Sequence, residues 1–117
     1  MYLFLNYPKC STCRKAKKWL ETHEIPFVNR HMLEERPTEA ELTRWVTEHH
    51  IPIKKLFNTS GVKYKELHLK DQLPTMTEKE QIALLASDGM LVKRPLLISE
   101  EKCFIGFKEE EWEKELL

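Results

Sequence analysis

The chain reads as a mixed α/β domain with a βαβ opening, a helical middle and a ββα close. Three observations predict this. A short aromatic-rich apolar run is followed by a helical stripe and then by a second apolar run. The middle carries two T-x-x-E signatures, each ahead of an apolar pattern with helical spacing. Near the end the pattern returns to short apolar runs separated by polar residues. A length of 117 residues fits one domain, with the helical segment inserted at about 38–90.

The first strand is predicted over "YLFLNY", roughly residues 2–7, stopped by Pro8. From Ser11, "STCRKAKKWLETHE" aligns Cys13, Ala16, Leu20 and Trp19 on one stripe, which predicts an amphipathic helix ending near Glu24. "PFVNRHML" reads as a second strand, parallel to the first through a right-handed crossover. Thr38 and Glu41 form a capping box for a helix that buries Leu42, Trp45 and Val46. "IPIKKLF" predicts one further turn opened by Pro52. Ser60 is the expected cap of a short helix through "VKYKELHL", and "KDQLP" is expected as loop. Thr77 and Glu80 repeat the capping box, and that helix is expected to stop at Gly89. "RPLLIS" and "KCFIGF" form an antiparallel hairpin, and "KEEEWEKELL" closes as a helix with acids in its first turns.

Composition narrows the function classes. Nineteen Lys and Arg balance nineteen Asp and Glu, so bulk charge argues for neither nucleic acid nor an anionic membrane. No direct DNA contact is expected. No window approaches the roughly 18 apolar residues of a membrane span, and "MYLFLNYPK" has neither a basic leader nor a signal-length apolar segment. The expectation is a cytoplasmic protein with no membrane partner. In a reducing compartment a C-x-x-C pair points to redox chemistry, redox sensing or a metal rather than to a structural bridge.

That pair is Cys10 and Cys13, in "KCSTCR" at the predicted strand-to-helix junction. A helix N-terminus favours an anion, and a thiolate is one. Lys9, Arg14, Lys15, Lys17 and Lys18 surround it with cations, which also lower thiol pKa values; alternatively they form a solvated basic face. The spacing suits a nucleophile, Cys10, and a resolving thiol, Cys13. A structural zinc site would need four ligands, and Cys103, His23, His31, His49, His50 and His68 offer no finger-like second pair. Neither metal nor cofactor is expected. Two inert cysteines are the remaining alternative, and Cys103 is expected to be a packed apolar residue. Further along, "KRP" sets Arg94 beside Pro95 at the start of an apolar run. Arg94 is either a surface cation or a bidentate anion clamp.

Together, "YPKCSTCRKAKKWL", "KRPLLI" and "GFKEEEW" resemble the arsenate reductase (ArsC) and Spx family, over essentially the whole chain. The resemblance implies a thioredoxin-like (glutaredoxin-like) fold with an inserted helical subdomain. It implies Cys10 as nucleophile, Cys13 as the second cysteine, and Ser11, Thr12 and Arg14 with Cys13 in an anion-binding loop. It also implies Arg94 beside the active cysteine and a cis bond before Pro95. The implied activity is that of a thiol–disulfide oxidoreductase acting on an oxyanion or a disulfide, with thioredoxin or glutathione/glutaredoxin as reductant. The alternative within the family is a redox-switched regulator that binds the RNA polymerase α subunit. Glutathione-dependent arsenate reductases of the family carry two further arginines, where this chain has Asn58 and Phe107, and they lack the second cysteine. Lys54, Lys55 and Lys108 are the nearby cations. The regulator uses a glycine in the insertion, where this chain has "HHIPI".

Overall fold

A computed structural model describes residues 1–117. In chain order the elements are β1 (Tyr2–Asn6), α1 (Ser11–Thr22), β2 (Phe27–His31), α2 (Glu39–Glu48), α3 (Val62–Glu66), α4 (Leu69–Gln72), α5 (Glu78–Ser87), β3 (Leu96–Ile98), β4 (Cys103–Ile105) and α6 (Glu109–Leu116). Single 3₁₀ turns lie at Ile53–Leu56, Leu73–Thr75 and Gly89–Leu91. The chain divides into two compact units. One is built from Met1–His31 and Arg94–Leu117, the other from Met32–Lys93.

In the first unit the sheet order is β2-β1-β3-β4. β1 runs parallel to β2, from Tyr2 opposite Phe27 to Asn6 opposite His31. It pairs antiparallel with β3, which pairs antiparallel with β4. The predicted βαβ and ββα pieces therefore share one sheet, and β1 is an inner strand. Alternate residues of a strand face opposite sides. Phe4, Leu97 and Phe104 accordingly share a side with Ala16, Trp19 and Leu20 of α1 and Trp112 of α6 in one buried cluster. Trp112 packs edge-on against Trp19, with centroids 5.7 Å apart, and against Phe107 at 4.7 Å. Buried Asn6 ends β1 without an unpaired amide. Its Nδ2 donates to Asn29 Oδ1 at 2.8 Å, and to the carbonyls of Phe4 and Arg30. That side chain ties the last residue of β1 to β2.

In the second unit both capping boxes are present in full, Thr38 with Glu41 on α2 and Thr77 with Glu80 on α5. These two helices pack on each other. Leu42 and Trp45 are buried; Val46 is only half-buried. Three expectations are corrected here. Gly61, not Ser60, is the N-cap of α3, and it carries no side-chain cap bond. "KDQLP" is not loop: it falls within α4 and the following 3₁₀ turn, which bury Leu69 and Leu73. The third concerns Gly89. α5 stops at Ser87 with Asp88 as C-cap, and Gly89 opens the next turn, capped by the Asp88 side chain. Gly106 is the glycine with positive φ, at 79°. Gly89 is needed for space: a Cβ there would lie 2.1 Å from the Met32 carbonyl oxygen.

A backbone oxygen cannot yield as a flexible side chain can, so Gly89→Ala has to displace a chain segment. The expected loss is about 2–3 kcal/mol or more, read by denaturant unfolding against Ala86→Gly, a control in which a half-buried α5 position loses about 1 kcal/mol.

Candidate functional site

β1 ends at Asn6, and Tyr7, Pro8 and Lys9 carry the chain to α1. Cys10 is the N-cap, with extended φ and ψ of −86° and 121°. Its N–H donates to the Tyr7 carbonyl at 2.9 Å, and its carbonyl accepts from Arg14 at 3.1 Å. The turn thus leaves the Cys10 sulfur half-exposed at the mouth of the helix. Cys13, one turn on, falls on the apolar stripe with Ala16 and Leu20 and is 1% exposed. Both are free thiols in this structure.

The two sulfurs differ in acidity, and the fold sets the difference. Burial raises the Cys10 pKa, but four other groups outweigh it. They are the backbone N–H and the thiol of Cys13, the Arg94 guanidinium and the Thr12 N–H, and the net shift is downward. The neutral thiol makes no capping hydrogen bond; these donors act on the thiolate. Cys13 is pushed up to about 12, first by burial and further by the neighbouring Cys10 sulfur, against the opposing pull of the Tyr7 N–H and of Arg94. One turn of helix therefore holds a thiol disposed to ionise beside one disposed to keep its proton.

Arg94 directly precedes β3, and its peptide bond to Pro95 is cis. Pro95 is buried, and its carbonyl accepts from the Gly106 N–H at 2.8 Å. The Arg94 guanidinium carbon stands 5.4 Å above the centroid of the Tyr7 ring. So Cys10, Cys13, Thr12 and Arg94 are brought together within the first unit. Ser11 is exposed in the first turn of α1. Arg14 is exposed and turned back, with Nη1 donating to the Pro8 carbonyl at 3.1 Å. The cation that acts on the Cys10 sulfur is Arg94, which the family resemblance sets beside the active cysteine; the expected local cations, Lys9, Arg14, Lys15, Lys17 and Lys18, are not among the groups that shift it. Asn58 belongs to the second unit, where its N–H donates to Leu91 and its carbonyl accepts from Gly61. Phe107 is half-buried and packs its ring against Trp112 and Trp19. Cys103 on β4 is half-buried, and burial pushes its thiol up to about 12. Sequence reasoning missed Tyr7. Its signal was the last aromatic of the first apolar run, just ahead of the proline that stops it.

Residues 5–115 match the model of the ArsC family. The chain belongs to the ArsC family. Among its relatives, the uncharacterized protein YusI of Bacillus subtilis is 52% identical over 111 residues, spanning 95% of this chain and 94% of that protein. The regulatory protein MgsR of the same organism is 36% identical over 104 residues, 89% of this chain and 81% of that one. A crystal structure of an ArsC family related protein from Bacteroides fragilis superimposes with a TM-score of 0.91 at 58% identity, covering 97% of this chain and 95% of that one. ArsC membership agrees with the thioredoxin-like architecture expected from the sequence. No helix is long and apolar enough to cross a membrane.

Two measurements test the acidity of these thiols. Alkylation of Cys10 by iodoacetamide should reach half its maximal rate below the ordinary thiol value of about 8.5, while Cys13 stays unlabelled in the folded chain. Equal labelling of both sulfurs at neutral pH contradicts the described asymmetry. Cys103 tests the alkaline side. Its thiol ionises at 9.0 in an ordinary environment and at about 12 in the fold. The unfolded chain therefore loses that proton first, and stability falls as pH rises through this window. Cys103→Ala should flatten the fall, measured by urea unfolding across the same pH range.

Proposed function

We propose that this protein is a thiol–disulfide oxidoreductase in which Cys10 is the nucleophile and Cys13 the resolving thiol. The observation that carries the reading is the asymmetry of the pair: a half-exposed Cys10 whose thiolate is favoured, beside a buried Cys13 held as thiol. Burial makes the order of events one-way. A substrate sulfur reaches Cys10, not Cys13.

The Cys10 thiolate attacks one sulfur of a substrate disulfide. The S–S bond breaks, a Cys10–substrate mixed disulfide forms, and the other half leaves as thiolate. Cys10 no longer carries charge, so the part of the Cys13 shift that came from its neighbour disappears, and Arg94 still favours a charge there. Cys13 gives its proton to solvent or to the departing thiolate and attacks the Cys10 sulfur. The substrate's second half leaves as a thiolate, and a Cys10–Cys13 disulfide remains. Two electrons have moved from the pair to the substrate. A dithiol of the thioredoxin or glutaredoxin class, or two molecules of glutathione, returns them. Thr12 and Cys13 offer backbone N–H groups to the thiolate, and Arg94 offers its guanidinium. Ser11 and Arg14, exposed around the same turn, are proposed to meet the incoming substrate, with Pro95 forming the wall behind Arg94. A disulfide is favoured over an oxyanion because Phe107, in the position of one oxyanion-binding arginine, is an uncharged ring packed on Trp112. Asn58, at the other, is uncharged.

A second reading is supported by the kinship to regulators, the regulatory protein MgsR and the global transcriptional regulators named Spx. In it the same pair switches a regulator that binds the RNA polymerase α subunit.

Cys13→Ser tests the enzyme reading in cells: without its resolving thiol, Cys10 should accumulate mixed disulfides that mass spectrometry identifies. Cys10→Ser should abolish reduction of a mixed-disulfide substrate by the purified protein with thioredoxin or glutaredoxin. Turnover that survives Cys10→Ser sinks the assignment. Retention of RNA polymerase α by the chain in one redox state, without turnover, selects the regulator.

A further inference from the structure

Residues 9–18 hold five cations, Lys9, Arg14, Lys15, Lys17 and Lys18, and no acid. These are five of the nineteen Lys and Arg, so the rest of the chain carries fourteen against nineteen Asp and Glu. The zero net charge thus hides a local positive excess, and it lies beside the half-exposed Cys10 thiol.

Three roles inside the molecule fail to account for these cations. They are not among the groups that shift the Cys10 sulfur. They do not stabilise α1: its first turn has no acid, and its one acid, Glu21, lies in the last turn, the reverse of what the helix dipole favours. Nor do they serve as partners for acids elsewhere. Lys9, Lys15, Lys17 and Lys18 make no ion pair, although the acid-rich α6 packs on the same side of the sheet as α1. The helical period instead sends them outward together. With Cys13, Ala16 and Leu20 buried, Arg14, Lys15 and Lys18 are exposed on the opposite face, and Lys17 is half-buried at its margin. Lys9 is exposed on the turn just before Cys10. Lys18 stands about 12 Å along the axis from Cys10 at 1.5 Å per residue, so one docked polypeptide spans the whole patch and the sulfur.

We propose that the solvent face of α1, with Lys9, is the docking surface for the substrate, and that the substrate is an acidic polypeptide whose disulfide is flanked by carboxylates. This rests on the oxidoreductase reading above. Charge complementarity chooses the occupant. An exposed patch of one sign beside a reacting atom concentrates a partner of the opposite sign there and orients it on arrival. A solvated face that served solubility alone would do as well with mixed charges. A second copy seated on the patch by its own acidic α6 would cover Cys10, so the face belongs to a partner that leaves after exchange.

The test is a single turnover of the reduced full chain with three peptides, each carrying one cysteine as a mixed disulfide with mercaptoethanol. Glutamates, glutamines or lysines surround that cysteine. In each turnover the protein pair is oxidised to the Cys10–Cys13 disulfide, and the peptide thiol and mercaptoethanol are released. At low salt the acidic peptide should react roughly tenfold faster than the neutral one, and the basic peptide slower than either. Salt at about 0.5 M should bring the three rates together. Lys9→Gln, Lys15→Gln and Lys18→Gln combined should remove most of the preference for acid, and arginine at the same three positions should keep it. Uncharged hydroxyethyl disulfide should react at one rate with all three proteins. Equal peptide rates in the unsubstituted chain, or an acid preference that survives the glutamine replacements, overturn the docking surface while the oxidoreductase reading stands. No reduction of any disulfide, hydroxyethyl disulfide included, overturns both. Sedimentation checks the other occupants: self-association, or binding of a short DNA duplex, that the glutamine replacements abolish gives the face to a second copy or to nucleic acid and overturns the assignment.

Discussion

Two thiols one helical turn apart cannot both carry charge at little cost, and this fold decides which of them does by burying the other. The decision comes from the 3.6-residue period of α1. A helix whose apolar stripe runs through Cys13, Ala16 and Leu20 must turn Cys13 inward. The residue three positions earlier is not yet helical. Cys10 has extended backbone angles, and its sulfur stays at the mouth of the helix beside donors that have no helical partner. The electrochemistry of the pair is thus a consequence of amphipathic packing. Moving the start of α1 by one residue would turn a different side chain inward and dissolve the distinction.

The inner position of β1 holds that start in place. With β2 on one side and β3 on the other, the strand has no free edge along which to slip, and Asn6 fastens its last residue to β2 through two hydrogen bonds, to Asn29 and Arg30. β3 begins directly after Arg94, so the ladder that aligns β1 with β3 also delivers the guanidinium to the cysteine turn. On the helix-covered side of the sheet, Phe107 joins Trp19 and Trp112 in an edge-to-face cluster. Both indole Nε1 groups there lack a hydrogen-bond acceptor.

Much of this was legible in the residues because the signals were periodic or local. The βαβ opening followed from two apolar runs flanking an amphipathic stripe. Both capping boxes followed from T-x-x-E, since a cap is made by residues three positions apart. What escaped was short or long-range. α4 has four residues, less than two turns, and so shows no period; "KDQLP" looked like punctuation. Gly89 looked like a helix stop because glycine commonly takes a left-handed conformation there, whereas it answers to the backbone at Met32, far away in sequence. At the site the cysteines and Arg94 were recognisable by type. The place of Arg94 beside Cys10 came only from the family resemblance, because local lysines outnumber a single distant arginine on the page. Tyr7 escaped because its ring partners, Arg94 and His31, are distant from it in sequence.

The unit that holds the thiols is discontinuous, made from both ends of the described chain, whereas the other unit is one uninterrupted segment. Synthesis runs from the N-terminus, and domains tend to fold as their residues emerge. The cysteines therefore leave the ribosome before the whole of the second unit, and Arg94, β3 and α6 only after it. During that interval the nascent chain has neither the inner position of β1 nor the guanidinium, and its two thiols are chemically alike. The distinction between the two thiols thus arises only once Arg94 and β3 have followed the second unit.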